Sequence, residues 1–223
     1  MQTATFDQWL DAVFDHPVLK REWYWNEDFE DSWNRLELSD KVTVEYMTRL
    51  FLGPSCLKKY SMNQVAQGIW FLIGESSPGK SAYALLNSEV RLELRKDCVG
   101  AMTIFFREFV APLAPGRANE QKDDFQGVCY MWWDILPTDG GPKCGPDTGG
   151  EPELHAACLD TMAEILSIDS ELCQLSALHG LNHWHHYHEK TVEQIVDDFL
   201  RKTPDLTNRI IEYAGEARAG KAQ

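Results

Sequence analysis

The chain has 223 residues, 43% of them hydrophobic and 25% charged, with a formal net charge of −14 at pH 7. That is enough chain for one substantial core, with the composition of a globular protein. The charge disfavours nucleic acid and anionic membrane surfaces, which would repel it, and favours a basic protein as partner.

Phe6, Trp9, Leu10, Val13 and Phe14 recur at helical spacing and predict a first helix, closed by His16-Pro17. Trp25, Phe29 and Trp33 follow at i, i+4, i+8 and predict a second, with Glu27, Asp28, Glu30 and Asp31 on its wet face. Ser39-Asp40 can cap a helix through Val44, Met47, Leu50 and Phe51, which Gly53-Pro54 ends. Ser61 opens another through Val65, Ile69, Leu72 and Ile73, and a turn over 74–79 leads to a short helix from Ala82 to Leu86.

The longest helix is expected from about Val90 to Val110, with Pro112 as its stop and a polar loop over 112–124. Phe125 to Leu136 contains Cys129, Met131, Trp132 and Trp133 and is apolar enough to be buried on most sides. Residues 137–152 are rich in Gly and Pro and read as a surface loop. Helices over 153–167, 169–187 and 191–202, then one from Pro204 to about Ala217, complete the pattern. The expected fold is all-α: a single domain over 1–223, built as an antiparallel helical bundle or a short α-solenoid of helix pairs.

Six cysteines are scattered without a CxxC pair, and four lie in helical apolar patterns, so buried free thiols in a reducing compartment are expected. The stretch MQTATFDQWLDAVF is acidic and amphipathic, unlike a signal peptide, and no run approaches the ~18 apolar residues of a membrane span. A cytoplasmic location is expected.

Three constellations carry chemistry. Gly74-Glu75-Ser76-Ser77-Pro78-Gly79-Lys80-Ser81 satisfies the phosphate-binding pattern GxxxxGK[ST], in which backbone N–H groups, Lys80 and Ser81 would hold phosphate and Mg²⁺. Such a loop hangs between a parallel-sheet strand and a helix, and this chain shows no βαβ alternation; the flanks read as helices and the segment as the turn between them. Next, His179 and His183 stand one helical turn apart, the spacing of a zinc-holding pair, with His186 on the same face. A third ligand must come from another helix: Asp134, Asp160 or Glu164, if the fold brings one near. No HExxH base is built in, and the plainer reading is a polar groove between stacked helices, with no cofactor. Last, Trp23, Trp25, Glu27, Asp28, Glu30 and Asp31 form an aromatic patch ringed by acid, suited to a basic partner, or an ordinary amphipathic helix whose aromatic stripe is core.

The string Ser176-Ala177-Leu178-His179-Gly180-Leu181-Asn182-His183-Trp184 resembles the second helix of a HEAT-type repeat, with Cys158 to Leu166 in its partner helix. More broadly the chain resembles a bacterial all-helical family of no assigned activity. Similar strings mark that family: Cys129-Tyr130-Met131-Trp132-Trp133-Asp134 and the His179-to-Trp184 run. The resemblance implies a HEAT-like layer over about 153–218. Metal-binding HEAT enzymes use His-Glu pairs that are missing from the matching positions here, so it implies no activity. The function expected is protein–protein interaction with an unidentified basic partner, as a scaffold or as an acidic inhibitor of the immunity type. The alternatives are a P-loop-like NTPase using 74–81 and a metal-dependent hydrolase using the His179/His183 groove.

Overall fold

A computed structural model of the chain describes residues 4–20, 22–29, 33, 36–113, 124–137 and 151–221. Every regular element among them is helical. Helix α1 spans Phe6–Phe14, α2 Asp40–Leu52, α3 Met62–Ile73, α4 Leu92–Phe105, α5 Asp124–Tyr130, α6 Trp132–Ile135, α7 Pro152–Leu166, α8 Glu171–Lys202 and α9 Asn208–Arg218.

Local chemistry accounts for many of the starts. Ser39 accepts the Val42 N–H at the head of α2, and Ser61 forms a reciprocal capping box with Gln64 at the head of α3. Thr5 and Gln8 do the same for α1, and Thr207 caps α9. Each cap satisfies amides that the first helical turn leaves without a partner.

In several places the backbone departs from the sequence pattern. The aromatic-acidic segment forms two short 3₁₀ turns, Trp23–Trp25 and Glu27–Phe29, rather than one helix carrying Trp25, Phe29 and Trp33 on a stripe. Asn26 is the reason: its backbone is extended, and its side chain accepts the Asp28 N–H, a local bond that competes with helix propagation. The segment over Ala82 to Leu86 is likewise a 3₁₀ turn, Ser81–Leu85.

The long helix beginning at Leu92 passes into a π-turn over Phe106–Val110 before its last turn, Ala111–Leu113. Pro112 has no N–H to give the carbonyl four residues back, so the backbone loosens before it instead of stopping at it. The two helices expected over 169–187 and 191–202 are both present, by contrast, and meet end to end within α8 at a kink where His188 is non-helical (φ −131°, ψ 36°).

The helices pack in two interlocking series. α4 lies against both α2 and α7; α3 lies against α1 and α5; α8 meets α5, α6, α7 and α9. The core between them is aromatic. The Trp132 ring sits 5.7 Å from Phe51, 5.4 Å from Phe105 and 5.2 Å from Phe106, and its N–H points at the Met102 sulfur. Gly180 lets α8 close on α6: a Cβ there would come within 2.5 Å of Trp133 Cβ and 2.8 Å of Met162 Sδ.

Arg95 is the one charged side chain taken fully into the interior among the described residues, at 2% exposure. Its Nε donates to the Val90 carbonyl (2.8 Å), and its Nη1 to the Leu85 carbonyl (3.3 Å) and to the Glu151 carboxylate at the head of α7. That partnership holds the Glu151 carboxyl below its ordinary range.

Candidate functional site

The phosphate-loop-like segment connects α3 to a 3₁₀ turn. Most of its backbone amides are already engaged: Gly74 N–H donates to Trp70 O, Glu75 to Ile135 O, Ser77 to Gly74 O, and Lys80 to Ser77 O. Gly79 N–H donates to the buried Ser77 hydroxyl, at 3.3 Å. These are the amides that a phosphate cradle would have to present. Gly79 is dictated by packing, since a Cβ there would meet the Phe71 ring at 2.3 Å. The fold keeps Gly79, Lys80 and Ser81 together in the lining of a cavity of about 240 Å³, which Trp9, Glu37 and Asp40 also line, while Gly74 ends α3. Lys80 itself adopts a left-handed backbone (φ 47°).

The imidazole pair lies on the inner face of α8. His179 is 7% exposed, with its ring over Tyr130 of α5 at 4.2 Å between centroids. Its Nδ1 is 3.0 Å from the Tyr213 hydroxyl of α9, which in turn lies 2.7 Å from the Tyr130 hydroxyl. Burial, then the bond to Tyr130, pushes the Tyr213 phenol well above its ordinary range, so it keeps its proton. The Nε2 atoms of His179 and His183 are 3.3 Å apart, and Asp134 Oδ1 on α6 is 4.0 Å from His183 Nε2. Of the three carboxylates open as third partners, Asp134 is the one that converges with the pair; Asp160 and Glu164 face outward on α7. His186 is exposed and meets the Tyr187 ring instead.

Sequence reasoning missed Tyr130 and Tyr213, which no spacing within α8 could indicate. It also missed the set His185, Glu189 and Glu193, whose i, i+4, i+8 spacing was available and whose ligand atoms converge beside α8, with Glu189 exposed and the other two half-buried. Glu193 in that set is paired with Arg218.

Burial raises the thiols of Cys56, Cys98, Cys158 and Cys173, so none of these four has an environment that would activate it. All five described cysteines are free thiols, as their spacing led one to expect; Cys144 lies outside the described residues. Burial pushes Cys98 and Cys158 up to about 12 and Cys173 up to about 11, the reverse of what a nucleophile needs.

The acidic-aromatic patch divides in two. Trp23 is a core residue, stacked on His16 at 4.7 Å and tilted against Phe71 at 5.1 Å, and this removes it from any contact surface. Trp25 is 41% exposed, beside the exposed carboxylates of Glu27 and Asp28. Glu30 and Asp31 lie outside the described residues. Compared with protein-family models, with curated proteins and with solved structures, the chain matches none.

Proposed function

We propose that the protein works by holding a basic protein partner, with Trp25 as an anchor and Glu27 and Asp28 as its charged rim. The observation that carries this reading is the exposed indole on a turn whose neighbours Trp23 and Tyr24 are fixed in the core. An indole presented from a rigid support beside acid is the arrangement that interface anchors take, with charge setting the approach and the ring the contact. The net charge of −14 supports the same partner chemistry. The inactive thiols and the internally bonded turn over 74–81 support a binding role over an enzymatic one.

In this reading the α7–α8 pair and α9 form a HEAT-like layer behind the contact surface, and the protein is a cytoplasmic scaffold or an inhibitor of the immunity type. No described helix is long and apolar enough to cross a membrane. The test is capture from host lysate with the wild type and with Trp25→Ala and Glu27→Lys/Asp28→Lys variants. A partner of basic isoelectric point should be retained at about 50 mM salt and lost at about 300 mM, where screening confines charges to below 10 Å. Both variants should lose it with their helical spectra unchanged. An acidic partner, or one indifferent to all three residues, refutes the proposal.

A further inference from the structure

The interaction reading leaves a well-organised polar cluster among the described residues without a role. From its geometry we infer that Asp134, His179 and His183 form a binding site for one divalent transition-metal ion of the zinc class. Two imidazole nitrogens and a carboxylate oxygen are the ligand set that Zn²⁺ takes where solvent completes its shell.

The distances agree with that set. Two nitrogens bound to one tetrahedral ion at about 2.0–2.1 Å stand about 3.3 Å apart, and the two Nε2 atoms are 3.3 Å apart. Asp134 Oδ1 is 4.0 Å from His183 Nε2, and the three ligand atoms all lie within 4.8 Å of one another; rotation of the partly exposed aspartate side chain brings its oxygen inward.

The surroundings are built before any ion arrives. Tyr213 can accept the Nδ1–H of His179 while donating its own O–H to Tyr130, and that arrangement turns the Nε2 lone pair of His179 toward His183. The tilted ring contact with Tyr130, 4.2 Å between centroids, constrains the plane of the same imidazole. An outer partner that sets the tautomer and angle of a ligating imidazole is the usual companion of a metal site. Access is graded as well: His179 is buried, whereas the side chains of His183 and Asp134 are 30% and 22% exposed, leaving a route in and a position for water. The competing account of the short contact is a single N–H···N bond between the rings, and it predicts no affinity for an ion. The set His185, Glu189 and Glu193 has one imidazole and an acid already paired with Arg218, and it serves as the internal control.

The experiment uses the full chain without an affinity tag, stripped by chelator and titrated with ZnCl₂ by calorimetry, then with Co²⁺ by absorption. One ion per chain is expected, with the visible bands of four-coordinate N/O ligation. His183→Ala and Asp134→Asn should each weaken binding by more than about 100-fold, and Tyr213→Phe by about 10–100-fold. His185→Ala should leave it unchanged. Circular dichroism verifies the fold of each variant; His183 and Asp134 are exposed enough to be replaced without opening the core. Absence of stoichiometric binding in the wild type overturns the inference. So does binding that survives His183→Ala, or a thiolate charge-transfer band that places the cobalt on cysteine.

Discussion

From Leu172 to Asn182, α8 is buried without a break, whereas between Glu189 and Lys202 only Val192, Val196 and Phe199 are. Both halves hold the same backbone geometry, and His188 divides them. The first half is enclosed by neighbours: Ser176 donates to the Cys129 carbonyl, Gly180 abuts Trp133 and Met162, and Trp184 meets His155 edge-on. The second half has a single apolar stripe, with ion pairs from Glu193 and Asp197 to Arg218 on its wet side. A helix buried all round can place polar groups such as His179 and Asn182 inside only where other elements bring partners to them. A one-sided helix has no such constraint and contributes mainly area.

Three measurements can break or sharpen that contrast. The largest effect is expected from truncation. Trp184→Ala should lower the unfolding free energy by about 3–5 kcal/mol, against about 1.5–2 kcal/mol for Val196→Ala, read from urea titrations followed by circular dichroism. Equal losses would mean that the first half is no better enclosed than the second.

A smaller effect is expected at the junction. Burial, followed by the charge of His155, holds His188 below the ordinary imidazole range, and burial does the same to His16. Their folded pKa values lie below the unfolded value of about 6.5, so the unfolded chain takes up protons first. The stability they contribute is intact above about pH 6.5 and is lost as pH falls through the folded values. The urea midpoint should therefore drop between pH 7 and pH 5, with a shallower drop in His188→Asn; parallel slopes would show that His188 takes up its proton equally in the folded and unfolded chains.

The smallest effect belongs to Arg218, whose guanidinium reaches Asp197 at 2.7 and 3.0 Å and Glu193 at 3.3 Å on the exposed side of α8. Arg218→Ala should destabilise slightly at low salt and not at all near 1 M, where the screening length is about 3 Å. A loss that persists in high salt would mean that the arginine stem packs rather than pairs.

Several elements were legible in the sequence because their causes are local. Ser39 and Ser61 cap where their side chains can reach the next amides, and the stripe through Val65, Ile69 and Leu72 is one face of α3. Trp23 and Trp25 were not separable, since their order of burial depends on Asn26 ending a turn between them and on the Phe71 ring waiting below. The same limit governed the imidazole cluster. His179 and His183 are one turn apart on a single helix and can be found by spacing, whereas Asp134 and Tyr213 arrive from α6 and α9, 45 residues before and 34 after His179. The phosphate-loop pattern shows the converse, a string that fits at every fixed position while most of its amides already serve the turn.

Arg95 has a consequence for assembly. Its donors are met only when the carbonyls of Leu85 and Val90 and the carboxylate of Glu151 arrive together, from three stretches of chain separated by up to 66 positions. A guanidinium held in the interior without the Glu151 carboxylate would be an uncompensated cation, at a cost of several kcal/mol. An arrangement with α7 displaced along α4 would part that charge from its carboxylate. The residue thus acts as a proofreader, and its effect falls on arrangements of the chain that the finished fold never shows.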